Sequence, residues 1–195
     1  MGKLILGESD KQLLKQLVEV EKLLIVPEAH KLDLSRGAIV VPCADGDQMD
    51  DLFDDIRSLA IESGKKPRPH FLTEHGGAMV LSPEWHDPDR PGRARRLTED
   101  LVDAAKMKDI YTVLLFCHAP CGKATACKVD IEASIRHLML AKRVVKQLDP
   151  QFQVRCFVHI DWHDEFTGNG HFKETYFISA ETWDKRNLRR TQPGI

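Results

Sequence analysis

The sequence predicts an α/β fold: one domain over residues 1–195, with a central, mostly parallel β-sheet flanked by helices and a C-terminal antiparallel hairpin. Three observations predict it. Short apolar runs rich in β-branched residues alternate with longer segments of helical periodicity, the pattern of strand–helix–strand units. At 195 residues the chain is long enough to bury a full core without disulfides or structural metals. The last two strand-like runs flank a turn-rich stretch, Thr167-Gly168-Asn169-Gly170, as a hairpin requires.

Taken in order, Leu13, Leu14, Leu17, Val18, Val20, Leu23 and Leu24 recur at helical spacing and predict an N-terminal amphipathic helix over about residues 10–24, with Ser9 as N-cap and Pro27 as its stop. The core then spans about residues 36–179. Ala38-Ile39-Val40-Val41 reads as a buried central strand ending at Cys43. Met49, Leu52, Phe53, Ile56 and Leu59 mark the next helix, ended by Gly64, and Asp47, Asp50, Asp51, Asp54 and Asp55 in its first turns suit the positive end of its dipole. A second strand is expected around His70 to Thr73, followed by the turn His75-Gly76-Gly77-Ala78. Ser82 to Arg96, with three prolines and a glycine, reads as an exposed excursion, and Thr98 as the cap of a helix to about Lys108. Tyr111 to Cys117 is a third buried strand, and a long helix runs from Ile131 to the stop at Pro150. Val154 to Trp162 and Lys173 to Ser179 supply the hairpin strands.

Composition narrows the function. A formal net charge of -2 leaves no basic excess to attract nucleic acid, and no apolar run approaches the ~20 residues that span a bilayer. The apolar run near Met1 is too short for a signal peptide, and five irregularly spaced cysteines fit a reducing compartment, so a cytoplasmic protein with a small-molecule or protein partner is expected.

Chemistry concentrates in two segments. Cys43-Ala44-Asp45 follows one strand, and His118-Ala119-Pro120-Cys121 follows another. Together they supply two thiolates and an imidazole, a ligand set that suits Zn²⁺, and in parallel sheets ligands gather at the carboxyl ends of strands. Cys121-Gly122 also opens a helix, whose N-terminus favours a thiolate.

These residues carry a resemblance. The chain is similar to the β-class carbonic anhydrases, whose pattern is Cys-x-Asp-x-Arg after the first strand and His-x-x-Cys-Gly after a later one; Cys43, Asp45, His118, Cys121 and Gly122 match it. His75-Gly76-Gly77-Ala78 stands where that family has a glycine-containing turn lining the active site, and the terminal hairpin resembles the family's closing strand and turn. The resemblance implies a β-carbonic-anhydrase-like fold with zinc held by Cys43, His118 and Cys121. It further implies reversible hydration of carbon dioxide to bicarbonate by a zinc-bound hydroxide, Asp45 as the catalytic residue that orients it, and His75, Gly76, Gly77 and Gly122 lining the substrate side, with backbone amides near Gly76 and Gly77 positioning substrate. A homodimer or higher homo-oligomer is implied as well. Relatives that hydrolyse carbon disulfide or carbonyl sulfide supply an alternative substrate, and a non-catalytic zinc protein is the alternative of another class.

One departure keeps those alternatives open. Asp47 stands where the family has the arginine that pairs with the aspartate and holds it off the metal. Two outcomes compete: Asp45 binds zinc as a fourth ligand, or another cation replaces the arginine, with Lys123, His75 and His86 the candidates nearby in sequence. Two thiolates and a neutral imidazole already neutralise zinc, so bound water is acidified less than at a three-histidine site, where its pKa is about 7. A fourth, anionic ligand would close the site.

Two further clusters read as structural. His159, Asp161 and His163 share one face of a strand whose other face, Val158, Ile160 and Trp162, is apolar, as a half-buried strand requires. Arg90, Arg93, Arg95 and Arg96 read as a solvated loop among acidic neighbours, and Cys117 as a core residue.

Overall fold

The structure, a computed structural model, describes residues 4–66, 68–88, 90–163 and 172–191. The strand expected to be central, Ala38–Val41 (β2), ends at Val41 and lies second from the sheet edge, yet it is shielded from solvent along its whole length. β-branched side chains fit a pleated surface packed on both faces, so even this short run holds as a strand. Around it lie Leu24–Ile25 (β1), Pro69–Phe71 (β3), Thr112–Ala119 (β4), Gln153–Asp161 (β5) and Lys173–Ile178 (β6), in the spatial order β1-β6-β5-β4-β2-β3. β3, β2, β4 and β5 are parallel; β6 returns antiparallel to β5, and β1 pairs antiparallel with β6. The sheet is therefore mixed with a parallel core, as expected, and the β5–β6 pairing is the expected hairpin. Its Thr167–Gly170 turn lies outside the described residues.

Helix Gly46–Glu62 (α2) covers one face. Gln48, Leu52, Ile56 and Leu59 form its buried stripe, at the i, i+4 spacing that keeps side chains on one side of a helix. Beneath it Phe116 stacks on Phe157 at 4.9 Å between centroids, and Phe157 meets Phe177 edge-on at 5.9 Å. Glu8–Lys15 (α1), Arg93–Lys108 (α3) and Ile131–Leu148 (α5) bury Leu14, Leu101 and Leu138 in a second core that includes Ile39, Val41, Val113 and Leu115. Gly122–Ala126 (α4) and Ala180–Thr191 (α6) complete the α-helices among the described residues. Among the described residues no helix is long and apolar enough to cross a membrane.

Four expectations are corrected. The N-terminal helix does not run over 10–24 from a Ser9 cap to Pro27. It starts at Glu8 after Gly7 without a side-chain cap, widens into a π turn over Gln16–Val20, and ends where Lys22 takes φ 51°. Leu24 then joins β6 as strand, because the hydrogen bonds and burial gained at that sheet edge outweigh one more helical turn. Thr98 is not a cap: α3 begins at Arg93 after Gly92 at φ +77°, and the Thr98 hydroxyl donates to Ala94 O one turn back, at 2.8 Å. The second strand lies over Pro69–Phe71, not His70–Thr73: its register with β2 runs from Ala38 opposite Pro69 to Val40 opposite Phe71, and the Leu72 N–H closes the ladder on Val40 O at 2.9 Å. α6 was not anticipated; its anchor, Trp183, packs into the core from an otherwise polar segment.

The fourth correction bears on function. β5 is not half-buried: His159 is 0% and Asp161 1% exposed. Register places His118, His159 and Thr175 side by side on adjacent strands, one step beyond the Phe116–Phe157–Phe177 row, on the face that α2 covers. The Thr175 hydroxyl donates to Asp55 Oδ2 of α2 at 2.5 Å, so it accepts from His159 Nδ1 at 2.8 Å. Lys173, two residues before Thr175 on β6 and opposite Asp161, reaches Asp51 Oδ2 at 2.5 Å and donates to the Asp47 carbonyl.

Burial, helped by the charge of His118, pushes the His159 pKa down to about 4. The unfolded chain takes up this proton near pH 6.5 and the folded protein does not, so the stability from His159 is complete above about 6.5 and lost as pH falls toward 4. Thermal unfolding should show a loss of up to about 3 kcal/mol from this group over that window. His159→Gln should flatten the pH dependence between 7 and 5; an unchanged slope would assign it to other groups.

Candidate metal centre

The centre is built at the carboxyl ends of β2 and β4. These strands are neighbours with Val41 opposite Leu115, so their continuations meet. Past β2, Pro42 and Cys43 turn along the sheet, and Cys43 bridges in parallel to Glu74. Near the end of β4 stands His118; after a cis Ala119-Pro120 bond, Cys121 serves as N-cap residue of α4. The donor atoms of Cys43, His118 and Cys121 all lie within 4.8 Å of one another, and the residues are 7%, 5% and 5% exposed. Neither ring nitrogen of His118 has a hydrogen-bond partner. Buried polar atoms without partners are costly, so an imidazole with no protein partner beside two thiols fits the role of a cation ligand. Two sulfurs and one nitrogen suit zinc over magnesium or calcium, which take oxygen ligands.

The electrostatics agree. The Cys43–Cys121 hydrogen bond holds the Cys121 thiol well below the ordinary thiol range, aided by His118 and by the Ala124 N–H in the first turn of α4. The same bond, with burial, pushes Cys43 up. One thiolate is thus favoured at Cys121, and a cation arriving there would displace the Cys43 proton. Burial opposes a charge on His118, but the Cys121 thiolate and the Asp45 carboxylate outweigh it, and its pKa is raised.

The His75-Gly76-Gly77 turn packs against Cys43. Gly76 N–H donates to Cys43 Sγ at 3.3 Å, and Gly77 N–H to Glu74 O at 2.7 Å, so both amides expected to position substrate are engaged. Gly77 sits at φ +58°, where a Cβ would stand 2.8 Å from Cys43 N and from Phe116 O. Only glycine lets the turn close against both strand ends. His75 and Gly122 are exposed.

Asp45 divides its carboxylate. Oδ1 accepts the Asp47 N–H at 3.1 Å and caps α2, while Oδ2 lies 3.8 Å from His118 Nε2. Among the described residues no lysine or arginine nitrogen comes within 4 Å of it. None of the three expected cations takes that part: Lys123 pairs with Asp87 at 2.7 Å, and His75 and His86 line a cavity of about 380 Å³ with Glu74, Arg90 and Arg93. The cation that approaches the first turn of α2 is Lys173, which sequence separation hid. His159, Asp161 and His163 form no metal-ligand group among the described residues. Glu74 was also missed; nothing in its local sequence marks it as buried.

Compared with known proteins, the chain matches no family model, and no curated protein is similar to it in sequence. Among solved structures it is similar to a carbonic anhydrase from Streptococcus mutans, with 14% identity, a TM-score of 0.39, and 90% of this chain and 100% of that one covered.

Gly77→Ala should cost roughly 1–3 kcal/mol and lower metal uptake, read by thermal unfolding and by bound zinc per chain. Gly46→Ala, where a Cβ meets nothing within 4 Å, should change neither. Equal behaviour of the two variants would contradict the close approach at Gly77.

Proposed function

We propose that the chain is a zinc enzyme of β-carbonic-anhydrase type that hydrates carbon dioxide reversibly to bicarbonate. The observation that carries this reading is the buried Cys43–His118–Cys121 cluster with the unshared Asp45 oxygen turned toward its histidine. Zinc held by these three residues would supply the Lewis acidity that makes water nucleophilic near neutral pH. The protein's own part is to balance and orient. Cys43 and Cys121 bind as thiolates, and the Gly76 N–H draws charge from Cys43. Asp45, fixed at Oδ1 by the helix start, is the catalytic residue: Oδ2 accepts the attacking water's hydrogen bond and turns its lone pair toward the substrate carbon. His75 and Gly122, exposed beside the ligand-bearing turns, are assigned to the substrate side, whereas Gly76 and Gly77 serve Cys43.

One observation favours a second reading. With no lysine or arginine within 4 Å among the described residues, Asp45 is free to take the fourth position and close the site, giving a non-catalytic zinc protein on the same frame.

Stopped-flow hydration on protein carrying about one zinc per chain, from pH 6.5 to 9, separates the two. The enzyme reading predicts hydration above background, reduced at least about 100-fold in Asp45→Asn with zinc retained. Full zinc with no hydration at any pH would overturn it in favour of the closed site, and Asp47→Arg should then raise activity.

A further inference from the structure

Glu74 is a buried carboxylate for which the proposed chemistry has no use. It is 8% exposed, and such a group is costly unless it is paired and hydrogen-bonded. Here it is a junction. Its backbone carbonyl accepts the N–H groups of Ala44, at 3.0 Å, and Gly77, at 2.7 Å, one on each side of the cluster's Cys43 strand end. Its side chain accepts the His75 N–H at 3.0 Å and forms an ion pair with Arg93 at 2.8 Å, with Arg90 at 3.8 Å as a second charge. These arginines belong to the cluster that the sequence presents as solvated; Arg95, by contrast, pairs with Glu99 along the surface of α3. The cavity of about 380 Å³ lies against Glu74, His75, Arg90 and Arg93, so open space, not packed side chains, flanks the pair.

We infer that Glu74 and Arg93 are positioning residues for the metal centre: their ion pair holds the His75-Gly76-Gly77 turn so that the Gly76 N–H stays on Cys43 Sγ. The inference rests on reading Cys43 as a metal ligand. Without Arg93, the carboxylate keeps only Arg90 at 3.8 Å and turns toward water in the cavity, releasing the His75 N–H. The turn then loosens, and Cys43 loses the donor that fixes its sulfur and draws off its charge. Groups that orient a ligand in this way affect metal affinity without touching the metal. A purely structural pair, pinning the start of α3 to the sheet, would instead lower stability and leave the metal site as it was.

The full-length protein loaded with cobalt, together with competition for zinc against a chromophoric chelator, tells these apart. Arg93→Gln and Glu74→Gln should each weaken zinc binding about 10-fold and shift the thiolate-to-cobalt absorption, and Arg93→Lys should restore most of both. Arg143→Gln, which breaks the Arg143–Asp184 pair of 2.7 Å between α5 and α6, should change neither readout. Wild-type zinc affinity and cobalt spectrum in Arg93→Gln, with only the melting temperature lowered, would overturn the positioning role alone. No thiolate-to-cobalt band in the wild-type protein would overturn the metal reading and this inference together.

Discussion

The pairing of β2 with β4 is the constraint on which the rest depends. Val41 opposite Leu115 sets where each strand ends, and those ends bring Cys43 to a histidine and a cysteine some 75 positions later. Both strands are buried on both faces, so a one-residue slip of β4 would move every side chain to the opposite layer, misfit both cores and reverse the face that His118 occupies. The ligand geometry is therefore a product of core packing. The Gly76-Gly77 turn adds the close approach that seals the site, because only glycine fits between Cys43 N and Phe116 O.

A second constraint comes from the opposite direction. α2 is capped by Asp45 and lies over a layer of polar groups, His118, His159, Thr175 and Lys173, that continues from the aromatic row beneath the same helix. Its acidic residues, which look like solvated charges, reach down to this layer: Asp55 to Thr175 and Asp51 to Lys173. The helix start is thereby tied to the hairpin, and with it the carboxylate that stands beside His118. Charge balance around the cluster is divided. Cys121 and Asp45 favour a cation, while His159 stays neutral behind His118.

The sequence made much of this legible. β2, β4, α2, α5 and the hairpin strands are strongly periodic and bounded by turn residues, and the Cys43, His118 and Cys121 triad could be read from strand-end placement. What it hid has physical causes. The N-terminal helix gave way to β1 because a sheet edge was available, which local periodicity cannot show. The buried polar face of β5 looks like a solvent face until α2 covers it. Glu74, Arg93 and Lys173 act through partners distant in sequence or across a turn, and charged residues in polar stretches carry no local sign of burial. The cation sought beside Asp45 was expected at Lys123, His75 or His86, and each has other surroundings.

The central claim is that Cys43, His118 and Cys121 hold one zinc ion. X-ray absorption at the zinc edge on protein loaded to about one zinc per chain tests it most directly. The account predicts two sulfur neighbours at about 2.3 Å and a histidine nitrogen near 2.0 Å, with one sulfur lost in Cys43→Ser. A zinc shell made only of nitrogen and oxygen, or an unchanged two-sulfur shell in Cys43→Ser, would contradict it.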